Sequence, residues 1–105
     1  METGGAQVVQ SYGGGGFAVS NVRYTGSVLV FPERTVAWPP RTFTDLAADH
    51  LEPLIEAPEP LDVVLIGAGT ELAVLPANLS ALIRDAGLGF EVMSTGAACR
   101  TFNVL

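Results

Sequence analysis

The sequence is poor in the residues that bind metals or form disulfides: it has one cysteine, Cys99, and one histidine, His50, in 105 residues. One cysteine cannot form an internal disulfide, so nothing in the cysteine content indicates secretion. A lone histidine excludes a His-rich zinc site, and a site that combined His50, Cys99 and a carboxylate would need a proximity that the sequence does not indicate. We therefore expect no metal site.

Basic residues and long apolar runs are also scarce. Five Lys and Arg against eleven Asp and Glu give a formal net charge of −6. Because so few cations offer no basic patch to neutralise phosphates, nucleic acid and anionic membrane surfaces are poor partners. No apolar run approaches the roughly 18 residues of a membrane span, and the first residues do not resemble a signal peptide. We expect a cytoplasmic protein with no membrane insertion.

The composition that is present is that of a folded domain. Hydrophobic residues make up 49% of the chain and charged residues 15%, which is typical of globular proteins and not of disordered ones. The length suits one domain with enough core to fold without metals or disulfides. We divide the chain into a flexible N-terminal arm, residues 1–8, and a domain, residues 9–105.

The first half of the domain has the pattern of strands and turns. Alternating apolar residues predict strands at residues 17–22 and 27–31, joined as a β-hairpin by the turn signal Thr25-Gly26. Pro32 ends the second strand, and residues 35–38 predict another short extended piece.

The second half alternates strand and helix. Helical spacing predicts a short helix over residues 45–57, which Pro53 kinks or delays. The nearly continuous apolar run at residues 61–66 is typical of a parallel strand buried on both faces.

Two further helices follow in the sequence. One extends from Pro76 to a C-terminal cap at Gly87. After a strand at residues 90–93, Thr95 caps a last helix that begins around Ala97. With right-handed crossovers, these elements predict an α/β fold.

The glycine motifs give weak support to a nucleotide site. The run V-V-L-I-G-A-G-T-E-L places Gly67 and Gly69 after a strand, as a dinucleotide-binding turn does. The third glycine position, however, is Leu72, and Pro76 postpones the helix. The four glycines at 13–16 lack the Lys-Ser or Lys-Thr of a phosphate loop. A tight strand-to-loop turn is the favoured interpretation.

Cys99 is the one weak catalytic candidate. Near the start of a helix and beside Arg100, its thiolate would be favoured by the helix dipole and by the guanidinium. Against this, cysteine is often buried, and Cys99 shares a helix face with Ala98, Phe102 and Leu105. Ordinary hydrolase signatures such as G-x-S-x-G are missing. A packing role is the favoured interpretation for Cys99, and a reactive thiol is the alternative.

Several motifs together resemble one known family. They are Y-G-G-G-G-F at 12–17, G-S-V-L-V-F-P at 26–32, Trp38, V-L-I-G-A-G at 64–69, and L-G-F-E-V-M-S-T-G-A-A-C-R-T-F-N-V-L at 88–105. These resemble the Mth938-like family, a domain of unknown function, and the segment T-G-A-A-C-R-T-x-N is the most specific part.

The resemblance implies an α/β fold: a three-layer single domain with a central mixed sheet, an N-terminal β-hairpin layer and short helices. Eukaryotic relatives include a mitochondrial assembly factor for respiratory complex I and an adipogenesis-associated protein. No metal or organic cofactor is established for the family. Members commonly continue past N-V-L with a further apolar segment. If a closing strand is missing, an open sheet edge would invite pairing with another chain, so a homodimer is one expectation.

Two hypotheses about function follow from the resemblance and the residues. The first is a non-enzymatic protein-interaction or assembly-factor-like module with a protein partner. The alternative is a small-ligand-binding protein or thiol-dependent enzyme that uses Cys99 and the Gly67–Gly69 loop. The candidate ligand or interaction residues are Gly67, Gly69, Thr95, Gly96, Cys99, Arg100 and Asn103.

Overall fold

The computed structural model describes residues 6–70 and 73–105, which form seven strands and three α-helices. The strands are β1 (Val9–Gly13), β2 (Gly16–Val19), β3 (Val22–Thr25), β4 (Ser27–Val30), β5 (Thr35–Trp38), β6 (Val63–Gly67) and β7 (Gly89–Met93). The helices are α1 (Glu52–Ile55), α2 (Ala77–Asp85) and α3 (Thr95–Val104), and 3₁₀ turns at Phe43–Asp45 and Ala48–Leu51 precede α1.

Two features predicted from the sequence fall partly outside this range. Residues 1–5 of the N-terminal arm and Leu72 of the glycine motif lie outside the described residues. At the end of the arm, the amide of Gln7 donates to the carbonyl of Pro32 over 2.9 Å, and the carbonyl of Val8 accepts from the amide of Ser20. The flexible arm at residues 1–8 stays a prediction.

The described strands pair in three small sheets. The sheet β1-β2-β3 is antiparallel, β4 and β5 form an antiparallel pair, and β6 and β7 form a parallel pair. The predicted mixed α/β class is confirmed. Among the described residues, the strands of the expected central sheet are hydrogen-bonded as separate pairs and not as one continuous sheet.

The predicted hairpin at Thr25-Gly26 is wrong. The turn that joins β2 to β3 is Ser20-Asn21, where both residues have positive φ (47° and 70°). A two-residue hairpin loop of this kind favours residues that tolerate the left-handed region, and asparagine is one of them. Thr25-Gly26 instead leads from the first sheet into β4, whose hairpin partner is β5.

The second half follows the β-α-β-α order expected from its pattern. The helix before β6 begins late, with Pro53 in the first turn of α1. Pro76 precedes α2, and Gly87, with φ of 82°, follows it. The main core contains apolar residues from β4, β6, α2 and the turns around α1: Leu29, Phe31, Leu51, Leu54, Val64, Ile66, Leu75, Leu79, Ile83 and Leu88.

The start of α3 differs from the prediction by two residues. The helix begins at Thr95 and not near Ala97, and the cap is Ser94, whose side chain accepts from the amide of Ala97 over 3.2 Å. The hydroxyl of Thr95 accepts instead from the amide of Gly69 over 3.0 Å. Thr95 therefore links α3 to the end of β6.

Candidate functional site

The loop after β6 and the start of α3 lie together at one end of the parallel strand pair. The amide of Ala68 donates to the carbonyl of Met93 over 2.8 Å, and the amide of Thr95 donates to the carbonyl of Gly69 over 2.9 Å. With the bond from Gly69 to the Thr95 hydroxyl, these contacts join the ends of both parallel strands. The junction is closed by the chain's own hydrogen bonds.

Gly67 and Gly96 at this junction are sites of close packing. A Cβ on Gly67 would lie 3.0 Å from the Cα of Thr95 and 3.4 Å from the Cβ of Ala98. A Cβ on Gly96 would overlap the hydroxyl of Tyr12 and lie 3.2 Å from a terminal nitrogen of Arg100. Both glycines let a helix or an aromatic ring approach the backbone, and neither leaves an open cradle for a phosphate.

Tyr12 was not among the residues predicted for the site. It lies on β1 opposite Phe17 of β2, and its ring end covers Gly96 beside the guanidinium of Arg100. The sequence signal was its position next to the glycine run at 13–16, although this run does not indicate which helix the ring contacts. Tyr12 is half exposed, so it belongs to the surface of this junction.

Asn103 is engaged by the backbone of β1. Its Oδ1 accepts from the amide of Val9 over 2.9 Å, and its Nδ2 donates to the carbonyl of the same residue over 2.9 Å. The side chain thus pairs with β1 much as a neighbouring strand would. Both functional ends of the amide are used to hold the first strand against the last helix.

Cys99 does not have the environment of an activated nucleophile. The side chain is half-buried on α3, and burial raises the pKa of the Cys99 thiol, which the positive charge of Arg100 lowers by a smaller amount. Because the thiolate is the reactive form, a raised pKa leaves less of it at neutral pH. Cys99 also lies beyond the first turn of α3, where the helix dipole has largely lost its effect.

The residues around Cys99 line a broad open concavity of about 1960 Å³. One wall is the face of α3 that the sequence had predicted to be apolar, Ala98, Cys99, Phe102 and Leu105. The other walls include every residue of β4 and of β6, together with residues of β1, β2 and β5 and of the segment 39–46. The volume exceeds the roughly 300–1,000 Å³ of small-molecule pockets.

The concavity exposes apolar side chains. Val63 is 43% exposed, and Leu65 of β6 and Val28 and Val30 of β4 are half-buried. The prediction that β6 is buried on both faces is therefore wrong for one face, since only Val64 and Ile66 are buried. An apolar surface of this kind is typical of a site that binds another protein.

Few charged residues line this surface. Within the described part of the chain they are Arg41, Asp62 and Arg100, all exposed. An ion pair lies elsewhere: Arg34 contacts both carboxylate oxygens of Glu59 at 2.5 and 3.1 Å, which lowers the pKa of Glu59. The concavity is thus largely free of the chain's excess negative charge.

The described residues contain neither a metal-binding cluster nor a membrane-spanning helix. Across residues 6–70 and 73–105, no three His, Cys, Asp or Glu side chains are grouped so as to hold a metal ion. In the same ranges, no helix has the length and hydropathy to cross a membrane.

Comparison with known sequences gives a family and several relatives. Residues 9–105 match the family described as "Protein of unknown function (DUF498/DUF598)". An uncharacterized protein of Rhodobacter capsulatus is 34% identical over 101 residues, which cover 96% of this chain and 76% of that protein. Human NADH dehydrogenase (ubiquinone) 1 alpha subcomplex assembly factor 3 is 30% identical over 110 residues. The match covers 99% of this chain and 56% of the human protein, so the chain spans about half the length of that assembly factor.

Comparison with solved structures confirms the fold. A crystal structure from Bartonella henselae, described as an outer membrane protein, has a TM-score of 0.88 and 32% identity, and covers 99% of this chain and 87% of that one. An NMR structure from Bordetella pertussis, described as an Mth938-like domain, has a TM-score of 0.78 and 26% identity over 94% of this chain and 77% of that one. The resemblance seen in the motifs is confirmed.

Proposed function

The chain belongs to the DUF498/DUF598 family of proteins of unknown function, and on that basis we propose that it is a non-enzymatic protein-interaction module of the assembly-factor kind. The single observation that carries the proposal is the open apolar concavity between β4, β6 and α3. A relative named as an assembly factor supports it, because an assembly factor works by binding other proteins.

The environment of Cys99 favours this function over a thiol-dependent enzyme. Its pKa is raised by burial, and its side chain lies on the apolar face of α3 with Phe102. The amide of Asn103, which the enzyme hypothesis would need as a substrate contact, is bonded at both ends to Val9. In the proposed function Cys99 acts as a small apolar side chain that lines the binding surface.

The proposal also includes the class of partner and the place of action. The partner is a protein and not a nucleic acid, because the lining charges are mixed and the chain carries a net charge of −6. We propose the cytoplasm as the place of action, since a lone half-buried cysteine fits a reducing compartment. Self-association as a homodimer is the competing occupant of the same surface.

Affinity capture from the native cell with three matched variants tests this function. Cys99→Ser removes the thiol, Val28→Arg places a charge in the concavity, and Val74→Arg places the same charge at an 89% exposed residue that does not line it. We expect Cys99→Ser and Val74→Arg to retain the partner and Val28→Arg to lose it, with all three folded by circular dichroism. Retention by Val28→Arg, or loss through Cys99→Ser alone, would contradict the proposal.

A further inference from the structure

The strand β3 lies at one end of the three-stranded sheet β1-β2-β3, which we name the first sheet. Among the described residues, β3 pairs with β2 and with no other strand. At the opposite end of the sheet, the side chain of Asn103 bonds both backbone groups of Val9 on β1. Within this part of the chain, the outer edge of β3 is therefore an open edge.

The register of the β2-β3 hairpin shows which backbone groups of β3 point outward. Val22 directly follows the two-residue loop, and the residues that flank such a loop form a hydrogen-bonded pair. Bonded and non-bonded pairs alternate along an antiparallel ladder, and the amide of Gly26 donates to the carbonyl of Gly15 over 2.7 Å in keeping with this alternation. The amides and carbonyls of Arg23 and Thr25, which alternate with the bonded residues, thus point away from β2.

The charged side chain of β3 is directed away from this open edge. Nη2 of Arg23 donates to the carbonyl of Gly13 over 3.2 Å, so the guanidinium lies across β2 at the β1-β2 turn. Charged side chains on an edge strand commonly prevent it from pairing with another chain. Because Arg23 reaches back over its own sheet, it leaves the outward backbone groups of β3 accessible.

The first sheet is nearly free of charge. Arg23 is the only charged residue between positions 6 and 32, whereas the whole chain has a net charge of −6. Because net charge makes two copies of one chain repel each other, a contact between uncharged surfaces costs the least electrostatic free energy. The first sheet is therefore a surface on which two copies of this acidic chain can approach closely.

Three aromatic side chains form a row across the first sheet. Tyr12 of β1 is paired with Phe17 of β2, and Phe17 is paired with Tyr24 of β3. Since directly paired residues point to the same face, the row crosses the sheet and ends at the open edge with Tyr24, which is half-buried. A further aromatic residue beside Tyr24 would continue the row, and cross-strand aromatic pairs stabilise sheets.

We propose that β3 pairs antiparallel with β3 of a second copy of this chain, about a two-fold axis at Tyr24, so that the two first sheets become one. This inference goes beyond the proposed function and does not depend on it. In this register Arg23 lies opposite Thr25 of the second copy, and their outward amides and carbonyls bond each other. Tyr24 lies opposite Tyr24 of the second copy as a non-hydrogen-bonded pair, in which side chains are closest.

Other registers fit the edge less well. A two-fold axis at Arg23 would place the two arginines directly opposite each other, where like charges are unfavourable. An axis at Thr25 would place Tyr24 opposite Gly26 and lose the aromatic pair. A different protein added at this edge would not repeat Tyr24 on the axis, whereas a second copy repeats it by symmetry.

The short strand sets the strength of the pairing. β3 has four residues, and such an edge buries less than the roughly 1,200–2,000 Å² of a stable interface. We therefore expect a weak dimer with a dissociation constant on the order of 100 µM.

Sedimentation equilibrium of the chain and of two variants of Thr25 tests the register. Thr25→Glu places a carboxylate opposite Arg23 of the second copy and should tighten the dimer about threefold, whereas Thr25→Lys should weaken it by a similar factor. Net charge alone predicts the reverse order, because glutamate makes each copy more negative. Circular dichroism confirms that both variants are folded.

Amide hydrogen exchange tests the backbone bonds without any substitution. The amides of Arg23 and Thr25 should exchange more slowly as the protein concentration rises, whereas the amides of α2 should not change.

Disulfide trapping tests the position of the axis. In a Cys99→Ser background, Tyr24→Cys places two thiols opposite each other with Cα atoms about 4.5 Å apart, within the range that a disulfide spans. Val22→Cys is the matched control, since its two copies lie about 14 Å apart along the strands in this register. With diamide as the oxidant, Tyr24→Cys should form the covalent dimer at least about tenfold faster. Val22 is 50% exposed and Tyr24 is half-buried, so random collision would favour the control.

Four outcomes would overturn the inference. They are the absence of association up to about 1 mM, association of Thr25→Lys as strong as that of Thr25→Glu, association without protection of the Arg23 and Thr25 amides, and faster trapping of Val22→Cys. Hydrogen exchange and trapping decide the matter even if a Thr25 variant does not fold. Partner capture that depends on Val28 would be unaffected by any of these results, because Val28 tests a different surface.

Discussion

The two long helices of the domain lie on opposite faces of β6 and bury different amounts of surface. On α2, Leu79 and Ile83 are 2% and 1% exposed and pack with Val64 and Ile66 of the strand. On α3, the one buried residue is Gly96, and Phe102 is half-buried beside an open concavity. The α2 face is closely packed, whereas the apolar side chains on the α3 face stay partly exposed.

The two faces of β6 contribute differently to the stability of the fold. Burying an apolar side chain contributes roughly 1.5–3 kcal/mol, so the residues between α2 and β6 account for much of the folding free energy. The residues facing the concavity contribute less to folding because water still reaches them. The proposed function would explain their apolar character by a partner that covers them.

Truncating one side chain on each helix should give the largest difference in the free energy of unfolding. Ile83→Ala should lower the free energy of unfolding by about 2–5 kcal/mol, because it leaves a cavity in the closed core. Phe102→Ala should lower it by only about 1 kcal/mol, because half of its surface already contacts water. Urea denaturation of both variants measures the difference. Equal losses would contradict the distinction between the faces.

Removal of the Asn103 side-chain amide tests whether this residue holds α3 against β1. Asn103→Ala breaks both bonds to Val9 and leaves an amide and a carbonyl of β1 without their partner, which should cost about 1–3 kcal/mol. The amide of Val9 should also exchange faster with solvent, whereas amides of α2 should change only through the global loss of stability. Unchanged exchange at Val9 would show that β1 is held by other contacts.

The two close-packed glycines should respond differently to a methyl group. Gly67→Ala meets the backbone of Thr95, so we expect a loss of about 1–2 kcal/mol that no side-chain truncation restores. Gly96→Ala meets the end of the Tyr12 side chain, which moves more easily.

Thermal unfolding of the double variant Tyr12→Ala/Gly96→Ala tests whether the Tyr12 side chain is what excludes a methyl group at Gly96. In the background of Tyr12→Ala, Gly96→Ala should raise the melting temperature, because alanine favours a helix over glycine by up to about 1 kcal/mol. Rescue of Gly67→Ala by Tyr12→Ala would show that the backbone contact is not what excludes a side chain at Gly67.

The titration of Cys99 should give the smallest effect. Because burial raises its pKa in the folded state, the rate of thiol alkylation should reach half its maximum at a higher pH than for an unfolded control peptide. The associated stability is fully present below the unfolded pKa and is lost as pH rises through the folded pKa. Arg100→Gln should move the profile to still higher pH. A profile below that of the control would restore the reactive-thiol hypothesis.

Features with a local signal could be predicted from the sequence. The apolar run of β6, the start of α2 after Pro76 and its end at Gly87 depend on residues within a few positions of each other. The junction of Gly69 with Thr95 is consistent with the rule that parallel strands end at the same edge of a sheet.

Features that depend on distant contacts could not be predicted in this way. Asn103 bonds Val9 across 94 residues, and no local pattern indicates this pairing. The contact of Tyr12 with Gly96 also joins residues that are far apart in the sequence, and no local pattern indicates it. The hairpin was misplaced because Thr25-Gly26 has the stronger turn composition, whereas Ser20-Asn21 matches the strand pairing. The open face of β6 was missed because an apolar run does not show which of its faces the fold covers.

Site-specific photocrosslinking in the native cell tests the central claim most directly. A photoreactive amino acid is placed at Val28 or Leu65, which line the concavity, and at Val74, which is exposed outside it. We expect both lining positions to crosslink to the same polypeptide, one other than this chain, and we expect no crosslink to that polypeptide from Val74. Crosslinks from Val74 alone, or none from either lining position, would contradict the claim that this face binds a protein partner.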